Sequence, residues 1–209
     1  MKMYKHNSIY RFGDLFFAYF PDGLRWKNER NIILTDPQYK NSILHDYLTN
    51  KTKELDYKAL KSACQRFILK NNCATPEKNE LTIHLRLGDR MNHCEHDHEK
   101  SDSAFINYLK KFDYSGISKV TILAVINFAG YKENWDNRYD INREEQSVSR
   151  FNSVMNFFTE LEMPVSHFSK SIDEDFCYGA FSHNLITTTG GFSKLMKKIS
   201  NARPPDLKV

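Results

Sequence analysis

The chain has 209 residues, 40% of them hydrophobic and 27% charged, with a net charge of +4 at pH 7. That length supports a real core in one large or two small domains, and the composition excludes a disordered or low-complexity chain. Basic and acidic residues are interleaved along the sequence. So small a positive excess fits a binder of anionic small molecules at least as well as a nucleic-acid or membrane partner.

The four cysteines, Cys64, Cys73, Cys94 and Cys177, are scattered without a Cys-x-x-Cys pair. They read as free thiols of a reducing compartment, most of them buried. No apolar run is long enough to span a membrane. The N-terminus, with Lys2, Lys5, His6 and Asn7, lacks the apolar core of a signal peptide, so a cytoplasmic protein is expected.

The first eighty residues are irregular. Pro21-Asp22-Gly23 and Asp36-Pro37 are turn signals around isolated apolar groups such as Ile32-Ile33-Leu34. Residues 1–55 are expected to form a small N-terminal portion. A helix from Asp56 to Leu69 follows, capped by Asp56, with Tyr57, Leu60, Cys64, Phe67 and Ile68 inward. Residues 56–209 read as one Rossmann-like domain.

Leu81–Leu85 is a β-rich stretch ending at the Gly88-Asp89 turn. After a polar loop to about Ser103, Phe105, Ile106, Leu109 and Phe112 repeat at helical spacing. Val120–Ile126 is a continuous β-branched run, as in a strand buried on both faces. A charged loop, Tyr131–Glu145, precedes an amphipathic helix through Phe151, Val154, Met155, Phe158 and Leu161, stopped by Pro164. Val165–Phe168 is a third strand. Ser171 and Glu174 have capping-box spacing, so a helix with Phe176, Cys177, Ala180 and Phe181 inward should run to about His183. Leu185–Thr189 is a fourth strand, Gly190-Gly191 a turn, and Phe192, Leu195, Met196 and Ile199 mark a closing helix. This alternation predicts an α/β fold, a doubly wound parallel sheet with ligands beyond the carboxyl ends of its strands.

Two constellations sit at such ends. In His84-Leu85-Arg86-Leu87-Gly88-Asp89, His84 and Arg86 share a face because side chains alternate along a strand. A guanidinium there can grip a phosphate in two hydrogen bonds, Gly88 permits a sharp turn, and Asp89 can brace Arg86. The bland alternative is an ion pair that pins a turn. In Thr187-Thr188-Thr189-Gly190-Gly191-Phe192-Ser193, glycines before a helix let backbone amides approach an anion, with hydroxyl donors from Thr188, Thr189 and Ser193. Its alternative is an ordinary strand-to-helix turn.

Together these motifs resemble the fucosyltransferase superfamily, which includes the α-1,2-, α-1,6- and protein O-fucosyltransferases. One hallmark is a strand ending His-x-Arg-(Arg)-Gly-Asp, matched by His84–Asp89 with Leu87 in place of the second Arg. The other is Asp-Phe, a short helix and an apolar strand ending before Ser-Phe-Ser, matched by Asp175-Phe176 and His183–Ser193. The resemblance covers roughly residues 56–200, the donor-binding half of a GT-B fold.

It implies a metal-independent, inverting transferase using GDP-fucose, with no cofactor, acting on a glycan or glycoconjugate acceptor. Arg86 would bind the diphosphate and offset charge on the departing GDP. His84 and Asp175 would lie near the guanine or ribose, and Thr188, Thr189 and the amides of Gly190, Gly191, Phe192 and Ser193 would face the phosphates. On that reading residues 1–55 are a reduced acceptor side. Arg11-Phe12-Gly13-Asp14 resembles the family's glycine-rich Arg-Phe-Gly-Asn-Gln turn, with Asp14 replacing Asn and Leu15 replacing Gln.

His93–Glu99 holds several potential zinc ligands, yet matches no structural zinc spacing, and a solvated loop is the favoured reading. Trp135–Asp140 offers groups that can stack on a sugar. Lys194, Lys197 and Lys198 suit the dipole of the last helix, and Arg203-Pro204-Pro205 reads as an extended tail. The rival readings are a non-catalytic nucleotide or sugar-phosphate binding module and a Rossmann-like enzyme such as a methyltransferase. Against the latter, Leu87-Gly88-Asp89 stands where a Gly-x-Gly turn would be required.

Overall fold

The computed structural model describes residues 3–4, 33–50, 56–88, 97–127, 141–200 and 202–208. The two-residue strand β1 (Met3–Tyr4) and helices α1 (Ile43–Asn50) and α2 (Tyr57–Asn71) lead to strand β2 (Glu80–Gly88). Then come α3 (Asp102–Leu109), β3 (Lys119–Asn127), α4 (Ile141–Glu160) and β4 (Val165–Phe168). Helix α5 (Ile172–Ala180), β5 (Asn184–Thr187) and α6 (Gly191–Ile199) complete the order.

Among the described residues the named strands all pair in parallel. The four main strands run in the order β4-β3-β2-β5, and β1 pairs with the far end of β3 at Ile126 and Asn127. This is the α/β doubly wound sheet that the alternation predicts. The order moves outward from β2 to β3 to β4, then jumps back to place β5 on the other side of β2.

The sheet separates two apolar layers. Leu81, Ile83, Leu85 and Leu87 of β2 join Val120, Ile122, Ala124 and Ile126 of β3 against Phe105 and Leu109 of α3 and Val154 and Phe158 of α4. Leu123 and Leu185 face the other layer, with Leu60 and Cys64 of α2, Phe176 and Cys177 of α5, and Leu195 and Met196 of α6. Helix α1 packs into this second layer through Ile43, Leu44, Tyr47 and Leu48. The described parts of residues 1–55 therefore build onto the same sheet and core.

Local chemistry explains the helix ends. Asp56 Oδ1 accepts from the backbone N–H groups of Lys58 and Ala59, each at 2.9 Å. Asn72 closes α2 in the left-handed conformation, at φ 50°. Ser171 and Glu174 make the full capping box on α5. Asp56→Ala should destabilise the fold by about 1 kcal/mol, read from the urea midpoint at unchanged slope.

Several boundaries differ from the sequence expectations. Helix α4 starts at Ile141, inside the expected loop Tyr131–Glu145, because the buried positions of its first turns are polar: Ser147 and Arg150. Helix α5 stops at Ala180 rather than near His183, and β5 ends at Thr187 rather than Thr189. Phe112 lies beyond α3, buried in a bridge to Leu207. The tail is tied down: Arg203 bridges Asn184 beside β5, and Pro205 is buried. Leu161 falls outside α4 and is half exposed.

Cys64, Cys73 and Cys177 are free thiols, the first and last buried. Among the described residues no helix is long and apolar enough to cross a membrane.

Candidate functional site

Strand β2 has two faces of opposite character. Its odd positions are the leucines and isoleucine of the apolar layer, while Glu80, Thr82, His84 and Arg86 line the other face. The first two of these polar residues are paired in the interior. Glu80 bonds the Tyr178 hydroxyl and sits 3.1 Å from Lys119 Nζ. Burial pushes the Glu80 carboxyl up, but hydrogen bonds from Thr121, Tyr178, the Glu77 backbone and Lys119 hold it below the usual range. Thr82 Oγ1 accepts from the Ser182 hydroxyl at 2.7 Å. The polar row thus changes from structural pairing at the amino end to the His84–Arg86 pair at the carboxyl end.

That end of β2 lies directly beside the end of β5. His84 pairs with Thr187, and Thr188 N–H donates to the His84 carbonyl oxygen at 3.1 Å. Thr188 Oγ1 donates to the same carbonyl at 3.2 Å and accepts from Arg86 N–H at 2.7 Å. The single Thr188 hydroxyl proton is therefore committed to the backbone of β2.

Ser193, in the first turn of α6, makes the next link. Its hydroxyl donates to the Thr189 carbonyl at 3.1 Å and lies 2.8 Å from His84 Nδ1. A hydroxyl has one proton, and a carbonyl oxygen can only accept. Nδ1 is then the protonated nitrogen, and Nε2 is left as an acceptor. Burial and the nearby Arg86 charge depress the His84 pKa to about 3, so the ring stays neutral. Phe192 packs on it with ring centroids 5.2 Å apart, and Phe176 lies 5.2 Å beyond Phe192.

Gly190 lets the chain turn into α6. Its φ of 108° and ψ of 159° fall in a region essentially restricted to glycine. A Cβ at Gly190 would stand 4.0 Å from both Cγ and Cδ of Arg86, so the arginine stem runs across this turn. The Arg86 Nε is buried. Thr189 Oγ1 is buried with no hydrogen-bond partner among the described residues. Gly190→Val should destabilise by about 1–3 kcal/mol through backbone strain, read from the urea midpoint.

The topology explains why these groups converge. After β2 the chain enters α3 on one side of the sheet; after β5 it enters α6 on the other. Neighbouring strands whose helices leave in opposite directions open a crevice at their carboxyl ends, where open α/β sheets bind ligands. Helix α4 closes one wall: Gly88 N–H donates to Ser147 Oγ at 2.9 Å, and Ser147 donates to the Arg143 carbonyl at 2.6 Å. Ser147 and Arg143 fall within or beside what reads as a charged loop, so no apolar pattern marks them in the sequence. Leu87, at the position of the superfamily's second Arg, is fully buried in the opposite layer.

Asp175 is near this region but in its own setting. It is buried on α5 and accepts from Lys170 N–H at 2.8 Å. Burial raises its pKa to about 7, against the Lys170 backbone bond. Its neighbour Phe176 links it through Phe192 to His84.

Asp89, Arg11, Gly13, Asp14, Cys94 and Trp135–Asp140 lie outside the described residues, as do residues 93–96 of the His-rich loop. His98 and Glu99 are described: His98 stacks on Tyr108 at 4.0 Å, with Nε2 3.9 Å from Glu99. Among the described residues no cluster of His, Cys, Asp and Glu is arranged to hold a metal. A separate groove of about 480 Å³ lies between α1 and α2, lined by Asp46, Tyr47, Asn50, Ala59 and Arg66. Its two charges satisfy each other at 2.7 Å.

No family model matches the chain, and no match was found among the curated proteins or the solved structures.

Proposed function

We propose that the crevice at the ends of β2 and β5 binds the diphosphate of a nucleotide sugar. In this reading the chain is a fucosyltransferase-like glycosyltransferase, with GDP-fucose as donor and a hydroxyl of a glycan or glycoconjugate as acceptor. One observation carries the reading: Arg86 lies across Gly190, at the N-terminus of α6, where the strand order reverses. A fixed cation, a glycine turn and a helix N-terminus in one crevice favour a phosphate group. The Thr189 hydroxyl, buried and with no partner among the described residues, adds a donor.

The chemistry follows from charge. As the bond between the anomeric carbon and the diphosphate oxygen breaks, negative charge grows on the departing nucleoside diphosphate. Arg86 and the first amides of α6 meet that charge, which is how such a site works without a metal ion. The acceptor oxygen bonds the anomeric carbon from the opposite face, inverting it, and its proton passes to a base. His84 is not that base at neutral pH. Its depressed pKa makes it a neutral ring whose Nε2 can accept from a ligand N–H or O–H.

A turnover assay tests this. GDP should be released from GDP-fucose at the same rate with and without a metal chelator. A rate that collapses with chelator would contradict the metal-independent mechanism.

One observation favours a second reading, a nucleotide or sugar-phosphate binding module without catalysis. The described part of the first 55 residues packs onto the donor-side sheet and core. GDP binding without donor turnover, across a panel of sugar acceptors, would select this reading.

A further inference from the structure

We propose that the outer face of α2 and α6 docks on an anionic membrane surface. Charges are interleaved along most of the chain, but not on these two packed helices. Helix α2 carries Lys58, Lys61, Arg66 and Lys70, helix α6 carries Lys194, Lys197 and Lys198, and neither holds an acidic residue. The whole chain has a net charge of only +4, so everything outside these helices is net acidic.

Lys58 on α2 and all three lysines of α6 are exposed, whereas Lys70 bonds Asn41 at 2.9 Å. On α6, Lys194, Lys197 and Lys198 are exposed while Leu195, Met196 and Ile199 are buried beneath them. On α2, helical spacing places Lys58, Gln65 and Leu69 along one outward stripe, with Lys61 to one side of it. Both helices cover the same side of the sheet. No ion pair with a described residue involves Lys58, Lys61, Lys197 or Lys198; Lys61 instead lies 5.6 Å over the Phe181 ring.

Leu69 decides between two anionic partners. It is 82% exposed, on the outward stripe of α2. An aliphatic side chain standing out of a lysine-rich face suits insertion between lipid headgroups. A nucleic-acid surface would instead present aromatic rings to stack on bases and arginines to fork onto phosphates. Here the aromatic groups of the two helices turn inward, and Arg66 is held by Asp46 at 2.7 Å. Because α6 begins at Gly191, the docked face adjoins the mouth of the β2–β5 crevice. The inference does not depend on what that crevice binds.

Vesicle co-sedimentation, without nucleotide, tests it. The intact chain should bind phosphatidylcholine vesicles that contain phosphatidylserine and leave pure phosphatidylcholine vesicles in solution, with binding lost at high salt. Combining Lys194→Gln, Lys197→Gln and Lys198→Gln should lower partitioning roughly a hundredfold, at about fivefold per lysine. Leu69→Ser should lower it about tenfold, with little dependence on salt. All four positions are exposed, so both variants should melt like the parent chain. Equal binding to neutral and anionic vesicles, or unchanged binding by the triple variant, would overturn the proposal. So would tighter binding to double-stranded DNA than to vesicles, with Leu69→Ser affecting neither.

Discussion

Arg86→Ala should weaken GDP binding by about tenfold to a hundredfold while leaving the fold in place. The range follows from a charge-assisted bond to phosphate worth about 1.5–3 kcal/mol. The guanidinium is not needed to hold the strands together. The backbone N–H of Arg86 bonds Thr188 Oγ1, and the His84 carbonyl takes two bonds from Thr188, all independent of the side chain. Calorimetric titration with GDP gives the affinity, and far-ultraviolet circular dichroism confirms the fold. A second readout separates a lost ligand contact from general damage. Removing the Arg86 charge should let the His84 pKa rise from about 3, with burial still keeping it below 6.5. Titration of the His84 ring by NMR would show it.

Asp175→Asn should change how stability depends on pH. The folded chain holds the Asp175 proton up to about pH 7, whereas the unfolded chain releases it near the ordinary value of 3.8. Below that value both states are protonated and the full stability is present. As pH rises through the window, the unfolded state loses its proton first and stability falls; above about 7 the loss is complete. The cost is on the order of 4 kcal/mol, since the shift is about three pKa units and each is worth about 1.4 kcal/mol. The asparagine side chain keeps an acceptor for Lys170 N–H and adds no charge. The variant should therefore match the parent near pH 4 and exceed it above pH 7, measured by urea midpoints across that range. Equal pH profiles for the two proteins would show that Asp175 is not the group responsible.

Much of this architecture is legible in the residues. The β-branched run Val120–Ile126 is buried on both faces, so it reads as a strand without any tertiary information. Asp56 and the Ser171–Glu174 pair announce their helices through local chemistry, and both caps form. The start of α4 is illegible for a physical reason: its buried early positions are Ser147 and Arg150, so no apolar period reveals it. Two-residue β1 is too short to leave a pattern.

At the site, alternation places His84 and Arg86 on one face, and the structure agrees. That same period of two in Glu80, Thr82, His84 and Arg86 marks a polar row along the strand. Strand order is different. Parallel neighbours 103 residues apart, such as Thr82 and Leu185, leave no trace of adjacency in one sequence. Nor does the sequence reveal that Ser193 fixes the proton on His84, or that the Thr188 hydroxyl is committed to the backbone.

In the proposed function the β2–β5 crevice takes a guanine nucleotide by its diphosphate. Thermal-shift titration of the unmodified chain with GDP, GDP-fucose, UDP and S-adenosylmethionine tests it most directly. At about a hundred times its dissociation constant, GDP should add about 2.7 kcal/mol of stability, and S-adenosylmethionine should add none. A shift with S-adenosylmethionine alone, or no shift with either guanine nucleotide at millimolar concentration, would contradict it.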